Sequence, residues 1–237
     1  MSGFDRRSFL KLAAGSAVAA GGTGWLAQAL ADGKLKPGPN DVFIVVDVQK
    51  CFIPGGSLAV NQGDEIVPLI NEIAKKFENV VLTQDWHTAD HVSFASQHEG
   101  KKPFETTTLK YGQQVLWPDH CVQGTEDAAL HKDLRLPTAQ LIIRKGFRAA
   151  IDSYSAFFEN DHSTPTGLDG YLRSRGVTSV TLAGLATDFC VAYSAIDAAG
   201  LGYKVTVLEG ACRAIDLNGS LSDARAKMRA AGVALEQ

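Results

Sequence analysis

The run Val42-Phe-Ile-Val-Val-Asp-Val48 constrains the fold more than any other stretch, because Asp47 is its only charged residue. A half-buried strand alternates apolar with polar; an apolar run of this kind reads as a strand covered on both faces, the habit of parallel sheets packed between helices. The signal returns at Val80-Val-Leu82, Leu141-Ile-Ile143, Val177-Thr-Ser-Val-Thr-Leu-Ala183 and Tyr203-Lys-Val-Thr-Val-Leu208. Helical patterns separate these runs. From about Glu65 to Glu78, Ile66, Leu69, Ile70, Ile73 and Phe77 fall on one face. Leu168 to Arg175 is closed by Gly176 and Val191 to Ala199 by Gly200; Ser220 to Ala231 has Ser220 or Ser222 as cap and Gly232 as stop. This alternation predicts an α/β fold: an open parallel β-sheet with helices on both faces, in a single domain.

The N-terminus stands apart. Asp5-Arg6-Arg7-Ser8-Phe9-Leu10-Lys11 precedes an uncharged Ala/Gly-rich stretch, Leu12 to Ala31, that ends in Ala29-Leu30-Ala31. The pattern is that of a twin-arginine export signal, and residues 1–31 are expected to be removed after Ala31, leaving a periplasmic protein. The stretch is too weakly hydrophobic for permanent residence in lipid, so no stable membrane insertion is expected. A lead-in at 32–40 and one catalytic domain at 41–237 would remain. The segment holds three Lys/Arg and one Asp, so its removal moves the net charge from −3 to −5, which offers nothing to nucleic acid or acidic lipid. Cys51, Cys121, Cys190 and Cys212 are scattered without a CxxC pattern, which argues against a zinc ribbon or a disulfide-stapled miniature. An oxidising compartment permits a disulfide, but spacing does not choose the pair. A homo-oligomer is left open.

Ligands of open parallel sheets gather outside the carboxyl ends of the strands. Asp47, Asp85 with His87, Lys145 and the turn before Cys190 all fall there, so they are expected on one rim. Cys190 is placed in the first turn of a helix capped by Thr187 or Asp188, where the N-terminal dipole would favour a thiolate; an inert buried cysteine is the competing reading. In the extended segment at Asp85, side chains two apart point to the same side, so Asp85 and His87 can converge on one ion while His91 returns from the adjoining loop and His120 supplies a further imidazole. Such mixed oxygen and nitrogen donors suit a divalent Zn, Fe or Mn. Solvated surface histidines are the alternative; His98 is a spare candidate, and His131 and His162 look incidental. The long section from Thr88 to about Thr125 reads as irregular and functional.

Taken together, Val45-Val-Asp-Val-Gln49, Gly55-Gly-Ser-Leu-Ala-Val60, Gln84-Asp-Trp-His-Thr-Ala-Asp-His91, Trp117-Pro-Asp-His-Cys-Val-Gln-Gly124, Arg144-Lys-Gly146, Asp152-Ser-Tyr-Ser-Ala-Phe157 and Gly184-Leu-Ala-Thr-Asp-Phe-Cys-Val191 resemble the nicotinamidase/pyrazinamidase family of isochorismatase-like cysteine hydrolases. The resemblance spans about Asp41 to Gly232 and implies a Rossmann-like three-layer sandwich. It implies Asp47, Lys145 and Cys190 as catalytic triad, Ala186 and Cys190 as backbone oxyanion donors, and a cis peptide bond at Leu185–Ala186. Asp85, His87 and His91 would be metal ligands with His120 nearby; Phe52 and Trp117 would sandwich the substrate ring, and Tyr154 would line its pocket. The implied activity is hydrolysis of nicotinamide, with pyrazinamide accepted. A metal-independent relative acting on carbamoyl or ureido compounds is the alternative. One departure is visible: Lys50-Cys51 stands where the family usually has Asn-Asp, at the edge of the pocket.

Overall fold

The computed structural model describes residues 35–237 and, ahead of them, Gly24 alone; the export segment expected at 1–31 otherwise lies outside the described residues. Six strands form one sheet: β1 (Asp41–Val46), β2 (Asn79–Asp85), β5 (Leu141–Lys145), β6 (Ser179–Leu185), β7 (Lys204–Arg213) and β8 (Ala234–Glu236), in the spatial order β5-β2-β1-β6-β7-β8. Every neighbouring pair in it is parallel. All seven residues of β2 are buried, and so are all but the first of β1 and of β6, as their unbroken apolar runs require. The edge strand β5 instead alternates, leaving Ile142 half exposed.

Four helices connect these strands: α1 (Val67–Ala74), α2 (Leu168–Ser174), α3 (Ala192–Gly200) and α4 (Ser220–Ala230). The step from β1 to β2 runs one way across the sheet, whereas β5 to β6, β6 to β7 and β7 to β8 run the other. Right-handed crossovers therefore put α1 on one face and α2, α3 and α4 on the opposite one. Each helix turns a short apolar stripe inward: Val67, Ile70, Ile73 and Ala74 from α1, Leu168 and Leu172 from α2, Ala224 and Met228 from α4.

The structure departs from the sequence reading in several places. The first helix opens as a tighter turn, Gly63–Ile66, and α1 ends at Ala74. Gly219, not Ser220 or Ser222, occupies the cap position of α4, in the left-handed conformation that glycine takes freely. The section from Thr88 to Thr125 is not wholly irregular, since β3 (Thr106–Leu109) and β4 (Gly112–Val115) pair there as a small antiparallel hairpin.

The order of strands reverses between β1 and β6, whose connections leave in opposite directions, and this switch point opens a crevice at the carboxyl edge. Gly184 permits the closest approach there. It takes φ +134°, and a Cβ on it would lie 2.1 Å from the Val46 carbonyl oxygen, so no other residue fits beside β1 just before Asp47.

Candidate active site

Strand register assembles the polar cluster. Asp85 and Lys145 are paired last residues of β2 and β5, while Val46 pairs with Gly184 and thus sets Asp47 beside the turn that follows β6. The Leu185–Ala186 peptide bond is cis, as the resemblance implies. Lys145 reaches inward from the edge strand and is fully buried; its Nζ lies 2.9 Å from Asp47 Oδ2, 2.9 Å from Asp85 Oδ1 and 3.4 Å from Cys190 Sγ, and donates to the Ser153 carbonyl at 3.0 Å. Thr83 Oγ1 donates to Asp47 Oδ1 at 2.5 Å and accepts from the Asp47 backbone N–H at 3.0 Å. Gln49, buried in the same layer, locks Asp85 by exchanging hydrogen bonds with its backbone, each 2.8 Å long.

Cys190 does not sit in the first turn of an ordinary α-helix. It lies in a wider π-type turn, Thr187–Val191, that leads into α3; Ala186 occupies the cap position and no side chain caps the turn. Asp188 is drawn elsewhere, accepting from the backbone N–H groups of Ile215 and Asp216 and from Ser220 Oγ. Nor is the thiol lowered. Burial pushes it well above the ordinary cysteine range, the Lys145 ammonium opposes that, and the Asp47 and Asp85 carboxylates reinforce it, so the resting sulfur carries its proton. Burial also raises Asp47, against the pull of Lys145 and of the Thr83 hydroxyl. For Lys145 burial acts downward, but Asp47, Asp85 and Cys190 outweigh it and hold the ammonium charged.

The imidazoles lie at the other end of the crevice. His87 Nε2 is 3.1 Å and His120 Nε2 3.6 Å from Asp85 Oδ2, and their rings are 4.8 Å apart. The His91 ring lies 4.2 Å from that of His87 and tilted to it, its two nitrogens directed to Ser93 Oγ and the Ile151 carbonyl. Two overlapping donor groups result: Asp85, His87 and His120 form one, and His87, His91 and Asp152 the other. Sequence spacing pairs Asp85 and His87 with His91; the fold instead brings His120 up to Asp85 and sets His91 beside Asp152. These donors suit a cation. His87 Nδ1 lies 2.9 Å from the Gly146 carbonyl and His120 Nδ1 2.8 Å from that of Pro118, and both must donate. In the neutral rings this leaves Nε2 lone pairs facing a carboxylate oxygen, an arrangement that a shared divalent ion resolves; without an ion a proton does so, since burial acts downward on His87 but the Asp85 carboxylate outweighs it and raises the imidazole above its ordinary value. Burial tends to raise Asp85, yet the His87 and Lys145 charges and the two imidazole hydrogen bonds hold it well below the usual carboxylate range. Burial pushes His91 down to about 4, with His87 adding to the effect.

Residues 41–236 match the isochorismatase domain. The chain belongs to the isochorismatase-domain family. Within that family it is 58% identical to the nicotinamidase of Acinetobacter baylyi over 200 residues, covering 84% of this chain and 94% of that one. Its fold superimposes on a nicotinamidase/pyrazinamidase from Acinetobacter baumanii with a TM-score of 0.84 at 60% identity, covering 85% and 98% of the two chains. The pyrazinamidase of Pyrococcus horikoshii, solved in complex with zinc, matches at TM-score 0.68 and 33% identity, over 84% of this chain and 99% of that one.

In this isochorismatase-family chain the crevice has free space of about 320 Å³, its open mouth included, and Phe52, Trp117 and Tyr154 all line it, as do Ala186 and Cys190. Tyr154 Oη accepts from Trp117 Nε1 at 3.1 Å and Gln114 Nε2 at 2.9 Å, which fixes both aromatic walls. Leu58, Asp152, Phe189 and Ile215 complete the lining and were not singled out from sequence. Asp152 had a usable signal, standing first in Asp152-Ser-Tyr-Ser-Ala-Phe157; Ile215 had none. Gly146 is a further position that shapes the site. At φ +64°, a Cβ would come within 2.5 Å of the His87 ring, so only glycine lets that imidazole sit where it does. His98 Nε2–H donates to the Val92 carbonyl, and the residue joins neither group.

Proposed function

We propose that this chain hydrolyses nicotinamide to nicotinate and ammonia, accepts pyrazinamide as an isostere, and works through a thioester on Cys190. The observation that carries the reading is Lys145 Nζ, within 3.4 Å of Cys190 Sγ and 2.9 Å of both Asp47 and Asp85 in one aromatic-walled crevice. Likeness to nicotinamidases supports the choice of substrate.

Phe52 and Trp117 hold the pyridine ring between them, and Tyr154 bounds it. Cys190 passes its proton to Asp47 as the sulfur attacks the carboxamide carbon; Lys145 keeps Asp47 charged until that moment. The oxyanion is held by the Ala186 and Cys190 N–H groups, a kind of donor worth about 3 kcal/mol in the transition state. Asp47 then protonates the departing ammonia. A water molecule that surrenders a proton to Asp47 attacks the thioester, releasing nicotinate, and the proton returns to sulfur.

Asp85, His87 and His120 would hold a divalent ion, zinc, iron or manganese, with His91 and Asp152 alongside. Bound there, the ion supplies a Lewis-acidic anchor for the ring nitrogen, so its contribution is orientation. The metal-independent carbamoyl reading leaves the three imidazoles without a task. An ammonia-release assay across nicotinamide, pyrazinamide and simple carbamoyl compounds tests the proposal; release from the carbamoyl compounds alone would overturn it, and full turnover by Cys190→Ala would eliminate the thioester.

Export to the periplasm by the twin-arginine route is part of the same reading. Arg6-Arg7 supports it, as does the Cys51–Cys121 disulfide, a bond that persists in oxidising compartments. No described helix is long and apolar enough to cross a membrane. Mass spectrometry of the exported protein should find Asp32 as its first residue, and an intact Met1 to Ala31 would refute cleavage there.

A further inference from the structure

Cys51 and Cys121 form a disulfide across 70 residues of chain. Each adjoins a wall of the crevice: Cys51 precedes Phe52 in the short helix Lys50–Phe52, and Cys121 follows His120. The Phe52 and His120 rings meet edge to face, with centroids 5.6 Å apart. Cys121 also carries His87, whose backbone N–H donates to the Cys121 carbonyl at 3.1 Å. Neither segment belongs to the six-stranded sheet. Asp127 ties the same two segments together, its carbonyl accepting from Cys51 N–H at 2.8 Å and its carboxylate from Cys121 N–H at 3.2 Å and Ser57 Oγ at 2.6 Å.

We infer that the Cys51–Cys121 bridge is a positioning element for the proposed amide hydrolysis, fixing the ring-binding wall at Phe52 against the ion-holding imidazole at His120. Substrate affinity and ion retention depend on it. Turnover at sulfur does not, because Asp47, Lys145 and Cys190 hang from the strand ends β1, β5 and β6 and are held by one another. The bridge also makes the site redox-responsive. Both cysteines are fully buried, so a small dithiol reaches the bridge only through local opening; there it attacks one sulfur as its thiolate, its second thiol resolves the mixed disulfide, and two electrons and two protons pass to Cys51 and Cys121 as the dithiol closes into its own disulfide. The inference rests on the amidase reading for its kinetic part and on the imidazole cluster alone for its ion-binding part.

The test compares the full ion-loaded protein in three forms: oxidised, dithiol-reduced with reductant removed, and Cys51→Ser/Cys121→Ser. Thiol counting under denaturing conditions identifies the states, since only Cys190 and Cys212 are free when the bridge is closed. Opening the bridge should raise KM for nicotinamide by about tenfold or more and speed ion loss on dialysis by a similar factor, with kcat much less affected. Reoxidation should restore the wild type and leave the variant unchanged. Unaltered KM and ion retention in a folded, reduced protein would overturn the inference even if its melting temperature fell, because the bridge would then be a brace only. If the variant does not fold, the reduced wild type, checked by circular dichroism, decides; its unfolding also counts against the inference. Absence of ammonia release from the oxidised protein would sink the amidase reading, while ion retention would still read the bridge.

Discussion

At the sulfur end of the crevice Lys145 terminates on two carboxylates, a carbonyl and a thiol, all supplied by the chain, whereas at the imidazole end the Nε2 atoms of His87 and His120 converge on one Asp85 oxygen from 3.1 and 3.6 Å. The difference follows from what holds each end. Asp85 and Lys145 finish β2 and β5 as a registered pair and Asp47 directly follows β1, while His91 and His120 ride on the loops between β2 and β5. The lesson is a division of labour: the lysine, carboxylate and thiol cluster is built on strand ends, and the imidazole cluster is left to loops. Asp85 belongs to both ends, one oxygen facing Lys145 and the other the imidazoles, and so joins the two directly.

The largest effect should come from cutting the sulfur end alone. Cys190→Ala is expected to lower ammonia release by more than about 10³-fold while the protein retains its ion through dialysis; loss of the ion would break the separation between the ends. Lys145→Met should come next, since it strands the buried Asp47 and Asp85 carboxylates without their cation and costs about 3–5 kcal/mol in denaturant unfolding. A neutral result would mean that the carboxylates find other partners. At the opposite end, His120→Ala should weaken ion binding by about 10- to 100-fold and raise KM more than it lowers kcat. Gly146→Ala should move both in the same direction, because its methyl group would displace His87, and calorimetric titration with the metal would register either change.

The smallest expected effect is a shift in a pH profile. Asp47 must be ionised to take the thiol proton, so activity is present above its pKa and is lost as pH falls through it; burial places that acid limb above the ordinary aspartate value. Thr83→Val removes a hydrogen bond that favours the charged form and should move the limb of kcat/KM further upward without changing ion affinity. A limb that stays in place would mean that another group titrates.

Much of the rim was legible beforehand. Asp47, Asp85, Lys145 and Cys190 stand at the ends of apolar runs, and once alternating strands and helices imply a parallel sheet, such residues have to share its carboxyl edge. The capping pattern before Cys190 misleads for a related reason. Thr187 and Asp188 carry the right side chains for capping, but the Asp188 carboxylate is claimed by residues 215–220, a partner that no local pattern announces. His91 and His120 were both in view as ligands; which of them meets Asp85 depended on how a loop of some thirty residues folds back.

The order of apolar runs, the glycine stops and the ordered motifs sufficed to determine the layered α/β architecture and the gathering of Asp47, Asp85, Lys145 and Cys190 on one rim, because hydrophobic period and strand ends are local properties of a chain. Tertiary structure alone decided that Cys51 pairs with Cys121, that Asp152 joins the imidazoles, and that burial outweighs Lys145 in keeping the thiol protonated. Those outcomes depend on which distant segments exclude water from one another, and that is settled only when the loops close over the sheet.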